Sequence, residues 1–219
     1  MNKPLILVIN DDGISAPGIR KLISIMNDFG KVVVVAPEGP QSGMGHAITI
    51  NATLRCDKVV IDDGPQIEYA VSGTPVDCVK LAVNQILERK PDLCVSGINH
   101  GSNSSINVIY SGTMSAAVEG ALEEIPSIGF SLLDFSHDAD FSEGEQYIRK
   151  ITASVLENGL PDGVCLNVNI PKSKQEEKIK GIKICRQAKA NWVEEFDERK
   201  DPNGRTYYWL TGKFVNYDK

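Results

Sequence analysis

Residues 5–9, Leu-Ile-Leu-Val-Ile, carry no polar side chain on either face, and the run ends directly on Asn10-Asp11-Asp12-Gly13. A strand that is apolar at every position is buried on both sides, the situation of a strand inside a parallel sheet covered by helices. Similar apolar runs recur at residues 32–36, 93–96, 128–132 and 164–168. Between them lie stretches with helical spacing. Ile19, Leu22, Ile23 and Met26 are in register after Pro17, with Gly30 as a stop. Thr74-Pro75 supplies an N-cap and first-turn proline for a helix carrying Val76, Val79, Val83, Ile86 and Leu87. Ser111-Gly112-Thr113 opens a helix with Met114, Ala117, Val118, Ala121 and Leu122. Ser142 and Glu145 form a candidate capping box ahead of Ile148, Ile151 and Val155. Repeated strand–helix–strand order predicts a Rossmann-like α/β fold, a mostly parallel sheet with helices on both faces.

Two segments break this rhythm. Residues 47–72 read as a sheet-rich excursion, with strands expected at 47–54, 59–61 and 67–72. Past residue 170, a mixed-charge stretch over 172–180 reads as a solvated linker or helix face. Strands are expected at 182–185 and 206–210, flanking a polar loop. The division predicted is a catalytic core over 1–170 and a β-rich appendage over 171–219. That appendage holds Trp192, Phe196, Tyr207, Tyr208 and Trp209, aromatics that about 50 residues cannot bury in a core of their own.

With 219 residues, 42% hydrophobic and 24% charged, the chain has the balance of a folded globule. A net charge of −6 argues against a general nucleic-acid binder. The five cysteines are scattered with no C-x-x-C pair, which suits a reducing compartment. Cys94, Cys165 and Cys185 fall in apolar runs and read as small buried hydrophobes. No signal segment or membrane-length apolar run is apparent, so a cytoplasmic location is expected.

The chemistry gathers where strands end. Asn10-Asp11-Asp12 follows the first strand, Gln41-Ser42-Gly43 the second, Asn99 and Gly101 a third, and Ser111-Gly112-Thr113 starts a helix. In open α/β sheets these carboxyl ends form the ligand-binding edge. Each cluster alone reads as turn or cap chemistry: an Asx-turn for the aspartates, a plain N-cap for Ser111. Together they offer two carboxylates, a hydroxyl and an amide oxygen, a set that suits Mg²⁺ or Mn²⁺ over zinc. The glycine-containing helix start favours a phosphate. With three histidines in the chain (His46, His100, His137), a His-rich metal centre is excluded. His46 and His100 lie in the site loops, with an acid step or a structural role equally open to them.

Four ordered blocks resemble the SurE survival-protein family. They are Ile9-Asn10-Asp11-Asp12-Gly13 with Ala16-Pro17-Gly18-Ile19, then Ser72-Gly73-Thr74-Pro75-Val76-Asp77-Cys78-Val79, then Val95-Ser96-Gly97-Ile98-Asn99, then Val108-Ile109-Tyr110-Ser111-Gly112-Thr113 leading to Glu119-Gly120. The likeness extends through Leu166–Pro171 to Tyr208-Trp209. It implies a divalent-metal-dependent phosphatase acting on nucleoside 5′- and 3′-monophosphates, with short polyphosphate as a substrate of some members. It also implies one cation per subunit on Asp11, Asp12, Ser42 and Asn99, and a phosphate cradle of Ser111, Gly112 and Thr113 with Asn103 nearby. Asp11, Asp12, Asn99 and Ser111 would then serve catalysis. Dimers or tetramers built through the appendage are implied, with no membrane or nucleic-acid polymer as partner. Two departures stand out: Ser102-Asn103-Ser104-Ser105-Ile106 replaces a small or acidic, Gly-containing stretch, and the family typically continues past the Tyr208-Trp209 strand, whereas this sequence stops at Lys219, either a short member or a cut one.

Phosphate monoester hydrolysis requires accelerations up to about 10²¹-fold. A helix terminus contributes only about 0.3–1 kcal/mol to a surface charge, so the cation must carry most of the electrostatic load. Two rivals remain open on the residues. An aspartyl-phosphate phosphatase would space its carboxylates at i and i+2, whereas Asp11 and Asp12 are adjacent. A nucleotide-binding module without turnover is the other, although no G-x-G-x-x-G follows the first strand.

Overall fold

The computed structural model describes residues 3–136, 138–142, 144–172 and 179–218. The apolar runs become β1 (Leu5–Ile9), β2 (Lys31–Pro37), β5 (Leu93–His100), β6 (Ser127–Leu133) and β7 (Cys165–Pro171). They join β3 (Cys56–Val59) and β4 (Ile67–Val71) in a seven-stranded sheet of order β3-β4-β2-β1-β5-β6-β7. Only β3, at one edge, runs antiparallel. The helices are α1 (Pro17–Met26), α2 (Pro75–Leu81), α3 (Gly112–Leu122) and α4 (Glu145–Asn158). Apolar side chains of α1 and α4 pack with Ile6, Val8, Val32 and Val34 on one face of the sheet. Those of α2 and α3 pack with Leu7, Ile9, Val33 and Val35 on the other.

Strand order sets the site. The chain proceeds from β1 outward to β2 and β4, then returns through α2 to lay β5 on the other side of β1. The order reverses between β1 and β5, and loops leaving two such strands part to open a crevice at their carboxyl ends. Asp11-Asp12 leave β1 there, and Asn99 lies near the end of β5.

A buried ion pair ties α1 to β4. Both terminal nitrogens of Arg20 donate to Glu68, each at 2.7 Å, and the Glu68 side chain is 2% exposed. Arg20 Nε reaches Asp62 at 2.6 Å, and Gln66 adds a donor to Glu68 at 2.8 Å.

Several sequence expectations need correction. Residues 47–54 are irregular, with Ile48 and Ile50 exposed, because side chains rather than a strand ladder satisfy this backbone. The Thr49 amide and hydroxyl donate to Asp77 at 3.0 and 2.6 Å, and the Thr74 hydroxyl donates to the Ala47 carbonyl at 2.7 Å. The strand expected at 59–61 is instead β3, whose pairing with β4 stops at Val59. The helix from Thr74 has the expected cap, reinforced by Asp77, but after Leu81 it widens into a π-helical turn (Ala82–Ile86) and Leu87 is extended. No capping box forms at α4: the Ser142 hydroxyl donates to Asp140, and the Glu145 carboxylate pairs with Lys21 and Arg149. On α3, Leu122 is exposed, while Gly112, Ser115, Ala116 and Gly120 are buried, so the helix packs largely through small residues.

The tail differs most. Residues 182–185 form no strand and lie exposed, Cys185 included, and Cys165 is only half-buried. The polar stretch expected as a loop is β8 (Ala190–Lys200), paired antiparallel along its length with β9 (Thr206–Asn216). This ribbon is solvent-exposed over most of its length, so its sequence need not alternate between an apolar and a polar face. Of the linker expected at 172–180, residues 173–178 lie outside the described residues. Among the described residues no helix is long and apolar enough to cross a membrane.

Candidate active site

Asp11 sits just past β1 at the strand-order reversal and is 3% exposed. Thr113, in the first turn of α3, donates its hydroxyl proton to Asp11 Oδ1 at 2.5 Å, and its oxygen lies 3.5 Å from Asn99 Oδ1. Three of the sequence clusters therefore meet at one hydroxyl. The α3 terminus approaches so closely that a Cβ on Gly112 would stand 2.6 Å from Asp11 Cβ and 2.9 Å from Oδ2. Only glycine fits between helix and carboxylate. The fourth cluster is tied in through backbone, since the Gln41 amide donates to the Asp11 carbonyl at 2.7 Å. Ser42 follows on that loop and is exposed.

Asp12 is half-buried and accepts from the His100 amide at 3.3 Å. Burial raises the pKa of Asp11, outweighing the Thr113 hydroxyl and nearby amides of Thr113, Asp11 and Gly112. Burial first, then repulsion from Asp11, pushes Asp12 up to about 6. Two carboxylates desolvated side by side both resist ionisation, and a bound cation removes that cost. Among the described residues no group of three or more His, Cys, Asp or Glu is placed to hold a metal. A cation here would complete its shell with neutral oxygens, and the residues present fit a hard divalent ion.

The amides at the start of α3 are largely committed. Met114 N–H donates to Ser111 Oγ at 3.0 Å and Ser115 N–H to the Ser111 carbonyl at 3.0 Å. Ser111 is thus an N-cap. Capping uses an oxygen lone pair, so the hydroxyl proton remains available to an incoming acceptor. Thr113 differs, because its one hydroxyl proton is engaged by Asp11.

Asn103 is buried and stands apart from this group, in a network of its own. Its Nδ2 donates to Ser131 at 2.7 Å, its amide donates to Asn169 at 3.0 Å, and its carbonyl accepts from Asn167 at 2.8 Å. The supporting role of Asn167 and Asn169 escaped sequence reasoning. The available signal was a pair of amides at i and i+2 in an otherwise apolar strand. Glu119, which closes the fourth block of the sequence without an assigned role, is a carboxylate buried on α3. Of the two site-loop histidines, His100 Nε2 donates to the Ser136 carbonyl at 2.6 Å, and His46 Nε2 lies 2.8 Å from Glu119 Oε2.

Across residues 6–194 the chain matches the family model described as survival protein SurE. It is 68% identical over 219 residues to a Flavobacterium psychrophilum protein named 5′-nucleotidase SurE, covering 100% of this chain and 85% of that one. A Phocaeicola vulgatus protein of the same name is 49% identical over 216 residues, covering 99% of this chain and 82% of the relative. The crystal structure of the SurE protein from Aquifex aeolicus is similar with a TM-score of 0.81 at 42% identity, covering 96% of this chain and 83% of that one.

Proposed function

From the premise that this chain belongs to the SurE survival-protein family, we propose that it hydrolyses nucleoside 5′-monophosphates to nucleoside and phosphate. We extend the proposal to 3′-monophosphates and short polyphosphate as further substrates. The observation that carries it is the meeting of Asp11, Asn99 and Thr113 at the strand-order reversal, with the Asp12 carboxylate beside them. One divalent cation per subunit, Mg²⁺ or Mn²⁺, would be held by Asp11, Asp12, Ser42 and Asn99. When bound, it supplies a Lewis acid for a phosphoryl oxygen and a more acidic water.

The chain's own residues do the rest. Thr113 holds the Asp11 carboxylate in one orientation through its hydroxyl. The Gly112 and Thr113 amides add positive potential at the helix start. Ser111 donates its free hydroxyl proton to the phosphate, and Asn103, fixed by Ser131, Asn167 and Asn169, is assigned as a further polar group for the phosphate. One carboxylate of the aspartate pair accepts the proton of the attacking water. Residues 1–170 form the catalytic unit, and the ribbon in 171–219 serves assembly into dimers or tetramers. Exposed Trp192, Phe196, Tyr208, Trp209 and Leu210 on the ribbon support that assignment, and light scattering reads it directly. A cytoplasmic location is part of the same proposal.

Phosphate release from AMP tests the function. Turnover is expected with Mg²⁺ or Mn²⁺, to vanish in EDTA and to return on adding the cation. Undiminished turnover in EDTA would remove the metal from the reading, and no release under any condition would remove the enzyme. Ser111→Ala separates cap from cradle. Loss of the cap alone costs about 1 kcal/mol of stability. Loss of a donor to the transferring group also lowers kcat by roughly 10²–10³. A melting temperature that falls while kcat stays normal leaves Ser111 as a cap only.

A further inference from the structure

Helix α3 carries one carboxylate, six residues beyond Thr113. The Glu119 side chain is 4% exposed, yet it sits on a helix whose other buried residues are small or apolar. Its two oxygens serve two partners. Oε2 lies 2.8 Å from His46 Nε2, and Oε1 pairs with the Lys80 ammonium from α2. Removing a carboxylate from water is costly unless its partners satisfy it, so its presence calls for an explanation other than packing.

The location of His46 supplies one. The segment from Gln41 to Thr49 is gripped at both ends: the Gln41 amide on the Asp11 carbonyl, and Ala47 and Thr49 on the Thr74 and Asp77 side chains of the α2 cap. Its middle contains Ser42, the exposed candidate ligand. Gly43 and Gly45 flank Met44 with φ of +76° and +56°, a soft backbone that costs more than most to order. The Gly45 amide reaches the Tyr110 carbonyl, ahead of α3, at 3.3 Å, and among the described residues the hydrogen bond from that middle to α3 itself is His46 on Glu119.

We propose that Glu119 is a positioning residue, acting through His46 to hold the Ser42 loop over the aspartates. The same rigid helix then orients Asp11 through its first turn and Ser42 through its second. Lys80 neutralises the buried carboxylate, and among the described residues its ammonium makes no hydrogen bond to the loop. The inference rests on the metal site of the proposed function, so its test includes a measurement that needs no metal.

Amide hydrogen exchange of residues 41–46 and Mn²⁺ binding by calorimetry are compared across wild type, Glu119→Gln, His46→Ala, their double variant and Lys80→Met. Glu119→Gln and His46→Ala are expected to speed exchange in 41–46 about tenfold and to weaken Mn²⁺ binding about 10–100-fold, the usual cost of losing an outer partner. The double variant is expected to be no worse than either single one, because the two residues act as one contact. Lys80→Met, which removes the charge partner but leaves His46 in place, is expected to keep wild-type loop exchange. His46→Ala varies a side chain that is 38% exposed, so it stays informative if Glu119→Gln folds poorly. Wild-type exchange in folded His46→Ala, or equal loop loosening by Lys80→Met, overturns the proposal. If wild type binds no Mn²⁺, the metal reading falls, while hydrogen exchange still decides whether Glu119 holds the loop.

Discussion

Asp12→Asn is expected to lower AMP turnover by about 10³-fold or more, because a metal's electrostatic contribution is worth several kcal/mol and each 1.4 kcal/mol is tenfold. The same change is expected to stabilise the protein when no cation is present. Folded Asp12 has its pKa pushed up to about 6 from 3.8, so the folded state binds its proton more tightly than the unfolded chain does. That favourable contribution is complete below pH ~4 and lost as pH rises to ~6. Above that range the ionised carboxylate costs about 3 kcal/mol by the full shift, reduced by solvent screening of its partly exposed oxygens to on the order of 2 kcal/mol. Asparagine carries no such charge. Melting at pH 7 in EDTA should therefore rise by roughly 4–8 °C in the variant. Melting at pH 4 should differ little. A variant that is fully active, or that melts lower than wild type at pH 7 without metal, would remove Asp12 from the assigned role.

Glu68→Ala is expected to be the most damaging single change away from the site. It leaves the Arg20 side chain, 14% exposed, without its bidentate partner and with only the exposed Asp62 carboxylate on Nε. Removing one member of a buried pair typically costs about 3–5 kcal/mol, and the remaining Asp62 contact, 55% exposed, places this change at the lower end. For a chain of this size that lowers the melting temperature by roughly 10 °C. Replacing both partners, as in Arg20→Met with Glu68→Leu, should recover most of the loss, since no uncompensated charge remains. A thermal melt of the two variants side by side checks this, and a Glu68→Ala protein within 1 °C of wild type would contradict it.

The sheet and its functional edge were legible because parallel strands buried on both faces must be apolar at nearly every position. Leu5–Ile9 and the run beginning at Val32 leave little else to be. Once those strands are placed, Asp11, Asn99 and the start of α3 fall at one edge, and the structure brings them into contact through Thr113. Residues 47–54 misled because β-branched Ile48, Thr49 and Ile50 look like a strand, whereas Asp77 and Thr74 satisfy the backbone there. The β8 strand was hidden for the opposite reason: Glu194, Glu195, Glu198 and Arg199 interrupt any alternation, and an exposed ribbon does not need it. Glu119 was illegible because its meaning lies in partners 39 and 73 residues away in the sequence.

The Thr113–Asp11 contact spans 102 residues of chain, and β1 pairs with β5 across a comparable separation. Closing a loop of that length costs entropy before any local contact repays it, and topologies dominated by such pairings fold slowly. The parallel β1–α1–β2 unit can form early from neighbouring residues, but it carries the aspartates alone, with neither Asn99 nor the α3 terminus beside them. No half-folded chain therefore owns this crevice. On the proposed assignment of Asp11, Asp12, Ser42 and Asn99, cation binding would therefore report on a molecule whose long-range pairing is already complete, and would not template the early steps of folding.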